Sequence, residues 1–101
     1  MYLVIVQEED ISSLQDFITT TGPQNISAIF AQFSGVKLFA DNEISSTLKV
    51  KGIPCFCCIN SLRANNIDDN SIENCNPASL GILHELCEEP SNVHVIGVLP
   101  G

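Results

Sequence analysis

The sequence predicts a single α/β domain, three layers deep (α/β/α), built around a mainly parallel sheet of about five strands. Three observations carry this. Short β-branched apolar runs alternate with stretches whose apolar residues recur at helical spacing. The alternation continues along the whole chain as β-α-β-α-β-α-(β)-α-β, which argues a parallel sheet with helices on both faces. The length of 101 residues is enough for one hydrophobic core and too short for two.

Each element has its own signal. Tyr2 to Gln7 (YLVIVQ) is a β-branched run with a polar end, which suits a buried strand. Glu8, Glu9 and Asp10 then supply the acidic residues that a helix start favours. Ile11, Leu14, Phe17 and Ile18 form one helical stripe, and Gly22-Pro23 ends it. Ile26 to Gln32 (ISAIFAQ) reads as the second strand, followed by a turn at Ser34-Gly35. The next helix is expected from Val36 to about Leu48, with Asn42, Ile44 and Thr47 as weak formers in its middle. Gly52 closes it. Ile53 to Cys58 (IPCFCC) is the third strand, with Pro54 near its start where a missing N–H does least harm. Asn60 or Ser61 can cap a short helix through Leu62, Arg63 and Ala64. A short extended piece is expected over Ile72 to Cys75, then a helix with Pro77 in its first turn and Leu80, Leu83, Leu86 and Cys87 on one stripe. Pro90 should stop it, and Val93 to Leu99 (VHVIGVL) is the last strand.

The composition narrows the function. Apolar residues make up 45% of the chain, yet the longest apolar runs are far shorter than a membrane span. No basic segment precedes an apolar stretch and a cleavage site, so no signal peptide is expected and the chain reads as cytoplasmic. The net charge of −8, with only Lys37, Lys49, Lys51 and Arg63 as cations, repels phosphate backbones and anionic lipid surfaces. Neither direct nucleic-acid binding nor membrane binding is expected.

The informative residues are the cysteines: Cys55, Cys57, Cys58, Cys75 and Cys87. An odd count, with three inside four residues, argues reduced thiols rather than a secreted disulfide framework. Side chains alternate along a strand, so Cys55 and Cys57 share one face and Cys58 takes the other or the strand's exit. Cysteine often serves as a small buried hydrophobe, and that reading suits Cys55, Cys57 and Cys87; Cys75 sits in a loop between Asn74 and Asn76. Cys58 differs because a helix start follows at once. Free backbone N–H groups there would stabilise a thiolate and lower its pKa. In open α/β sheets, reactive groups gather at such strand ends.

Residues Cys58 to Ile67 read C-I-N-S-L-R-A-N-N-I. This segment resembles that of the DsrE/DsrF/DsrH family, whose bacterial Tus members relay sulfur for tRNA thiolation. In that family a cysteine closes the third strand, followed by polar residues, a leucine, a basic residue and a hydrophobic residue nine on. Cys58, Asn60, Ser61, Leu62, Arg63 and Ile67 fill those places. Asn66 stands where the family commonly has glycine, and asparagine tolerates the same left-handed turn. Gln32 to Leu38 (QFSGVKL) is similar to the family's strand-to-helix turn. The length suits the DsrH or TusB-like branch, whereas the cysteine suits DsrE and TusD-like members. The resemblance implies a sulfur carrier, with sulfane sulfur held on Cys58 as a persulfide and no metal or other cofactor. Asn60 and Ser61 would supply donors near the sulfur, and Arg63 would offset the acidic surface. The implied partners are a protein sulfur donor, a protein acceptor and related subunits in a homo- or hetero-oligomer.

Other readings carry less. Zinc wants two close ligand pairs; Cys55 with Cys57 or Cys58 makes one, but Cys75, His84 and Cys87 are dispersed. Cys55 and Cys58 have Cys-x-x-Cys spacing but lie along a strand, which points the sulfurs apart. His94 within the last strand reads as a structural residue. No phosphate-binding glycine motif occurs. The competing function is a non-catalytic subunit with an inert Cys58, using Ile44, Leu48 and Val50, or the apolar last strand, as an assembly face.

Overall fold

The computed structural model describes residues 1–88 and 92–97. The elements follow in the order β1 (Tyr2–Val6), α1 (Ile11–Thr21), β2 (Ile26–Ala31), a 3-10 segment at Phe33–Ala40, α2 (Asn42–Val50), β3 (Cys55–Cys58), α3 (Ile59–Ala64), β4 (Asn76–Ala78), α4 (Leu80–Leu86) and β5 (Asn92–Ile96). The five strands form one sheet in the order β4-β3-β2-β1-β5. Every pairing is parallel. The expected three-layer α/β/α architecture is present.

The strand order dictates where the helices lie. Crossovers between parallel strands are right-handed. From β1 to β4 each step moves the same way along the sheet, so those connections pass over one face. The step from β4 to β5 runs back across the sheet and puts α4 on the other face. The packing agrees. Val4, Val6, Ile29, Ala31, Cys55 and Cys57 form one core with Leu14 and Ile18 of α1, Leu48 of α2 and Leu62 of α3. Phe30, Cys58 and Ala78 form a second, smaller cluster against Phe56 and residues Ile82, Leu83 and Leu86 of α4.

Local chemistry explains the boundaries. Asp10 caps α1, its carboxylate accepting from the Ser13 N–H at 3.0 Å and from the Ser13 hydroxyl at 2.7 Å. Gly35 is needed for a close approach: a Cβ there would lie 2.2 Å from the Val6 carbonyl oxygen. The helix expected over Val36 to Leu48 is divided. Asp41 leaves helical geometry at φ −85° and ψ 110° and caps α2 by accepting from the Glu43 N–H at 2.9 Å. Asp and Asn prefer such caps to helix interiors.

The fourth strand also lies later than expected, at Asn76–Ala78 rather than Ile72 to Cys75. Pro77 belongs to this strand and not to the first turn of a helix. β4 is an edge strand, and an edge tolerates a residue without an N–H. Ser79 then precedes α4, which begins at Leu80. Of the supposed assembly face on α2, Leu48 is buried and Ile44 packs against the core, while Val50 is exposed. β5 begins one residue before its expected start. Its expected tail at Val98 and Leu99 and the helix stop at Pro90 fall outside the described residues. No helix among the described residues is long and apolar enough to cross a membrane.

Candidate functional site

Among the described residues, the topology creates one place where neighbouring strands send their chains to opposite faces. β3 continues into α3 on the first face, and β4 continues into α4 on the second. The carboxyl ends of β3 and β4 therefore splay apart, the arrangement at which open α/β sheets form their crevices. Cys58 is the last residue of β3 and is in register with Ala78, the last residue of β4. The cysteine singled out by the sequence thus sits at the switch point of the sheet.

Its surroundings are specific. Cys58 is the N-cap of α3, at φ −62° and ψ 122°, with no side-chain capping bond. Helix α3 begins at Ile59, one residue before the expected cap. The side chain lies on the second face, opposite Cys55 and Cys57, as strand alternation requires. It is only 4% exposed, within the cluster that Ile82, Leu83 and Leu86 pack against. The sulfur of the single chain is thus covered rather than open at the rim. The cover is slight, because α4 has no buried residue of its own and Leu80 at its start is 54% exposed.

The supporting residues divide. Asn60 is exposed in the first turn of α3. Ser61 is buried, and its hydroxyl accepts from the Phe33 N–H at 2.8 Å. Asn65 donates through Nδ2 to the Ser61 carbonyl at 2.7 Å and to the Phe33 carbonyl at 3.1 Å. These bonds tie α3 to the segment leaving β2, where Phe33 has φ 53°. Ser61 therefore fixes the helix that Cys58 caps. Arg63 occupies the last turn of α3 and pairs with Asp69 at 3.7 Å. That places it at the other end of the helix from Cys58. Asn66 takes the left-handed conformation, at φ 58°, as expected of asparagine there. Phe33 and Asn65 carried no sequence signal, since their partnership with Ser61 is made across the fold.

The first face holds a different set of thiols. Cys55, Cys57 and Cys75 are buried together. The sulfurs of Cys57 and Cys75 lie 2.7 Å apart. Burial, and secondarily the nearby Cys57, pushes the Cys55 thiol up to about 12. The Cys75 thiol is also raised, first by its bond to Cys57 and then by burial. Cys55 and Cys75 therefore keep their protons at neutral pH. Cys87 is exposed just beyond α4. His94 stacks on Phe17 with ring centroids 3.9 Å apart, and Tyr2 meets Phe17 edge-on, so His94 is part of an aromatic packing unit. Among the described residues, no group of three or more His, Cys, Asp or Glu side chains is placed to hold a metal ion.

Comparison with models of known protein families, with curated proteins and with solved structures yields no match.

Proposed function

We propose that this chain is a cytoplasmic sulfur-relay protein of the DsrE/DsrF/DsrH type that carries sulfane sulfur on Cys58. The observation that carries the reading is a cysteine at the splayed ends of β3 and β4, under a helix that buries none of its own residues. Sequence resemblance over Cys58 to Ile67 supports the same assignment. In the loading step the Cys58 thiolate attacks the outer sulfur of a donor persulfide. The new S–S bond forms as the donor S–S bond breaks, and the donor leaves as a thiolate. An acceptor thiolate then attacks the outer sulfur on Cys58 and regenerates the Cys58 thiolate. Both exchanges need an accessible sulfur, so α4 moves aside when a partner docks.

The test is persulfide loading. The reduced chain is incubated with a sulfane-sulfur donor such as inorganic polysulfide, and each cysteine is mapped by mass spectrometry. Gain of one sulfur atom at Cys58, lost in Cys58→Ser, supports the relay. Equal loading of wild type and Cys58→Ser would remove it. A second reading, a non-catalytic assembly subunit, is favoured by Val93 and Val95, which stand 48% and 37% exposed on edge strand β5. Sedimentation of a Val93→Asp, Val95→Asp variant addresses it: dissociation of a wild-type oligomer favours assembly through β5.

A further inference from the structure

We propose that Cys57 and Cys75 form a reversible disulfide that latches β4 and α4 down over Cys58. The two sulfurs stand 2.7 Å apart, which is about 0.7 Å longer than a covalent S–S bond. Only a small adjustment joins them. Cys75 lies one residue before β4 and follows Asn74, which has φ 59°. Its side chain is therefore not held to the direction of a paired strand. Cys75 and Cys55 also line a surface groove of about 610 Å³ at the amino ends of β3 and β4, together with Lys49, Pro54 and Asn74. That groove gives a small oxidant a route to Cys75, the member of the pair that lines it, and Lys49 favours an anionic one.

The oxidant is a low-molecular-weight disulfide of the glutathione class. Cys75, which burial and its bond to Cys57 keep protonated at rest, first gives up its proton to solvent in the groove, and the thiolate so formed attacks one sulfur of that disulfide and expels one thiolate. Cys57 then attacks the Cys75 sulfur of the mixed disulfide and expels the second. Two protein thiols become one disulfide, the oxidant is reduced to two thiols, and the two released protons go to those thiols. The consequence follows from the fold. β4 is three residues long and pairs only with β3. Ser79 joins it directly to α4, whose Ile82, Leu83 and Leu86 pack on the cluster containing Cys58. A covalent tie from β3 to the residue entering β4 holds the whole β4-α4 unit in place. This latch does not require Cys58 to carry sulfur.

The experiment uses the wild-type chain. It is equilibrated in glutathione buffers running from reducing to oxidising, and its free thiols are then alkylated over a time course. After reduction, a second label marks the thiols that were protected, and the peptides are mapped. The expected result is a Cys57–Cys75 linkage as the main oxidised product, with Cys58 alkylation slowed roughly tenfold by the lost opening of α4. Cys75→Ala, where it folds, should abolish the slowing. Glutathione found only on Cys87, or Cys55 joined to Cys75 instead, would overturn the proposal. So would a Cys57–Cys75 linkage that leaves the Cys58 rate unchanged.

Discussion

Gly35 is constrained by contact rather than by flexibility. A methyl group at this position would meet the Val6 carbonyl at 2.2 Å, and that atom is backbone that cannot rotate away. Gly35→Ala should therefore lower stability by about 3 kcal/mol, the upper range for overpacking, measured as a drop in urea midpoint. Ser61 has the opposite logic. Its hydroxyl receives the Phe33 N–H, and Ser61→Ala leaves that donor without its protein partner, costing about 1–2 kcal/mol. At this scale the sequence was informative where one strand's geometry decides the outcome. The alternation of Cys55 and Cys57 against Cys58 follows from period two alone. It was uninformative where residues meet across the fold: Ser61 and Phe33 are 28 positions apart, and Cys57 finds Cys75 across 18.

Elements were legible in kind and less so in extent. The pattern of Val36 to Leu48 reads as one helix because its apolar residues fit a single stripe, yet Asp41 divides it by turning its carboxylate onto the Glu43 N–H. A local hydrogen bond prevailed over periodicity. Pro77 carries two meanings, first helical turn or edge strand, and only the strand order decides between them. Asp10 shows an element whose start was well marked. The bonds from Ser13, the backbone one foremost, hold the Asp10 carboxyl below its ordinary range. A carboxyl with a lowered folded pKa stabilises above its unfolded pKa and loses that contribution as pH falls through the folded value. The cap should therefore hold at neutral pH and fade in acid. Asp10→Ala should lower Tm by a few degrees at pH 7, with a smaller difference at pH 2, as thermal scans at the two values would register.

The whole molecule is asymmetric across its sheet. The first face is covered by α1, α2, α3 and the 3-10 segment, and it holds the larger core and three buried thiols. The second face has one described helix, seven residues long. Strand alternation and the handedness of crossovers together contain this asymmetry, but reading it requires the strand order, which no local segment specifies. The buried thiols give the molecule a definite alkaline limit. Cys55 rises from 9.0 to about 12, and Cys75 is raised as well. An acid with a raised folded pKa keeps its proton in the native state while the unfolded chain loses it, so stability is full below the unfolded value and declines above it. From about pH 9 the unfolding free energy should fall by about 1.4 kcal/mol per pH unit for each such thiol. Urea titrations between pH 7 and 11 check this, and Cys55→Ala should flatten the slope.

The thin covering of the second face changes what a rate at Cys58 reports. A reagent reaches a sulfur that is 4% exposed only when its cover opens, and the β4-α4 unit covering it is held by three strand residues and partly buried leucines and isoleucine. When reclosing outruns chemistry, the observed rate is the opening equilibrium multiplied by the intrinsic rate of the exposed thiolate. Reagents of very different reactivity would then share one proportional penalty. A docking protein that stabilised the open form would remove that penalty without touching the thiol, so in a relay of the proposed kind the edge strand would set selectivity among partners as much as the sulfur would.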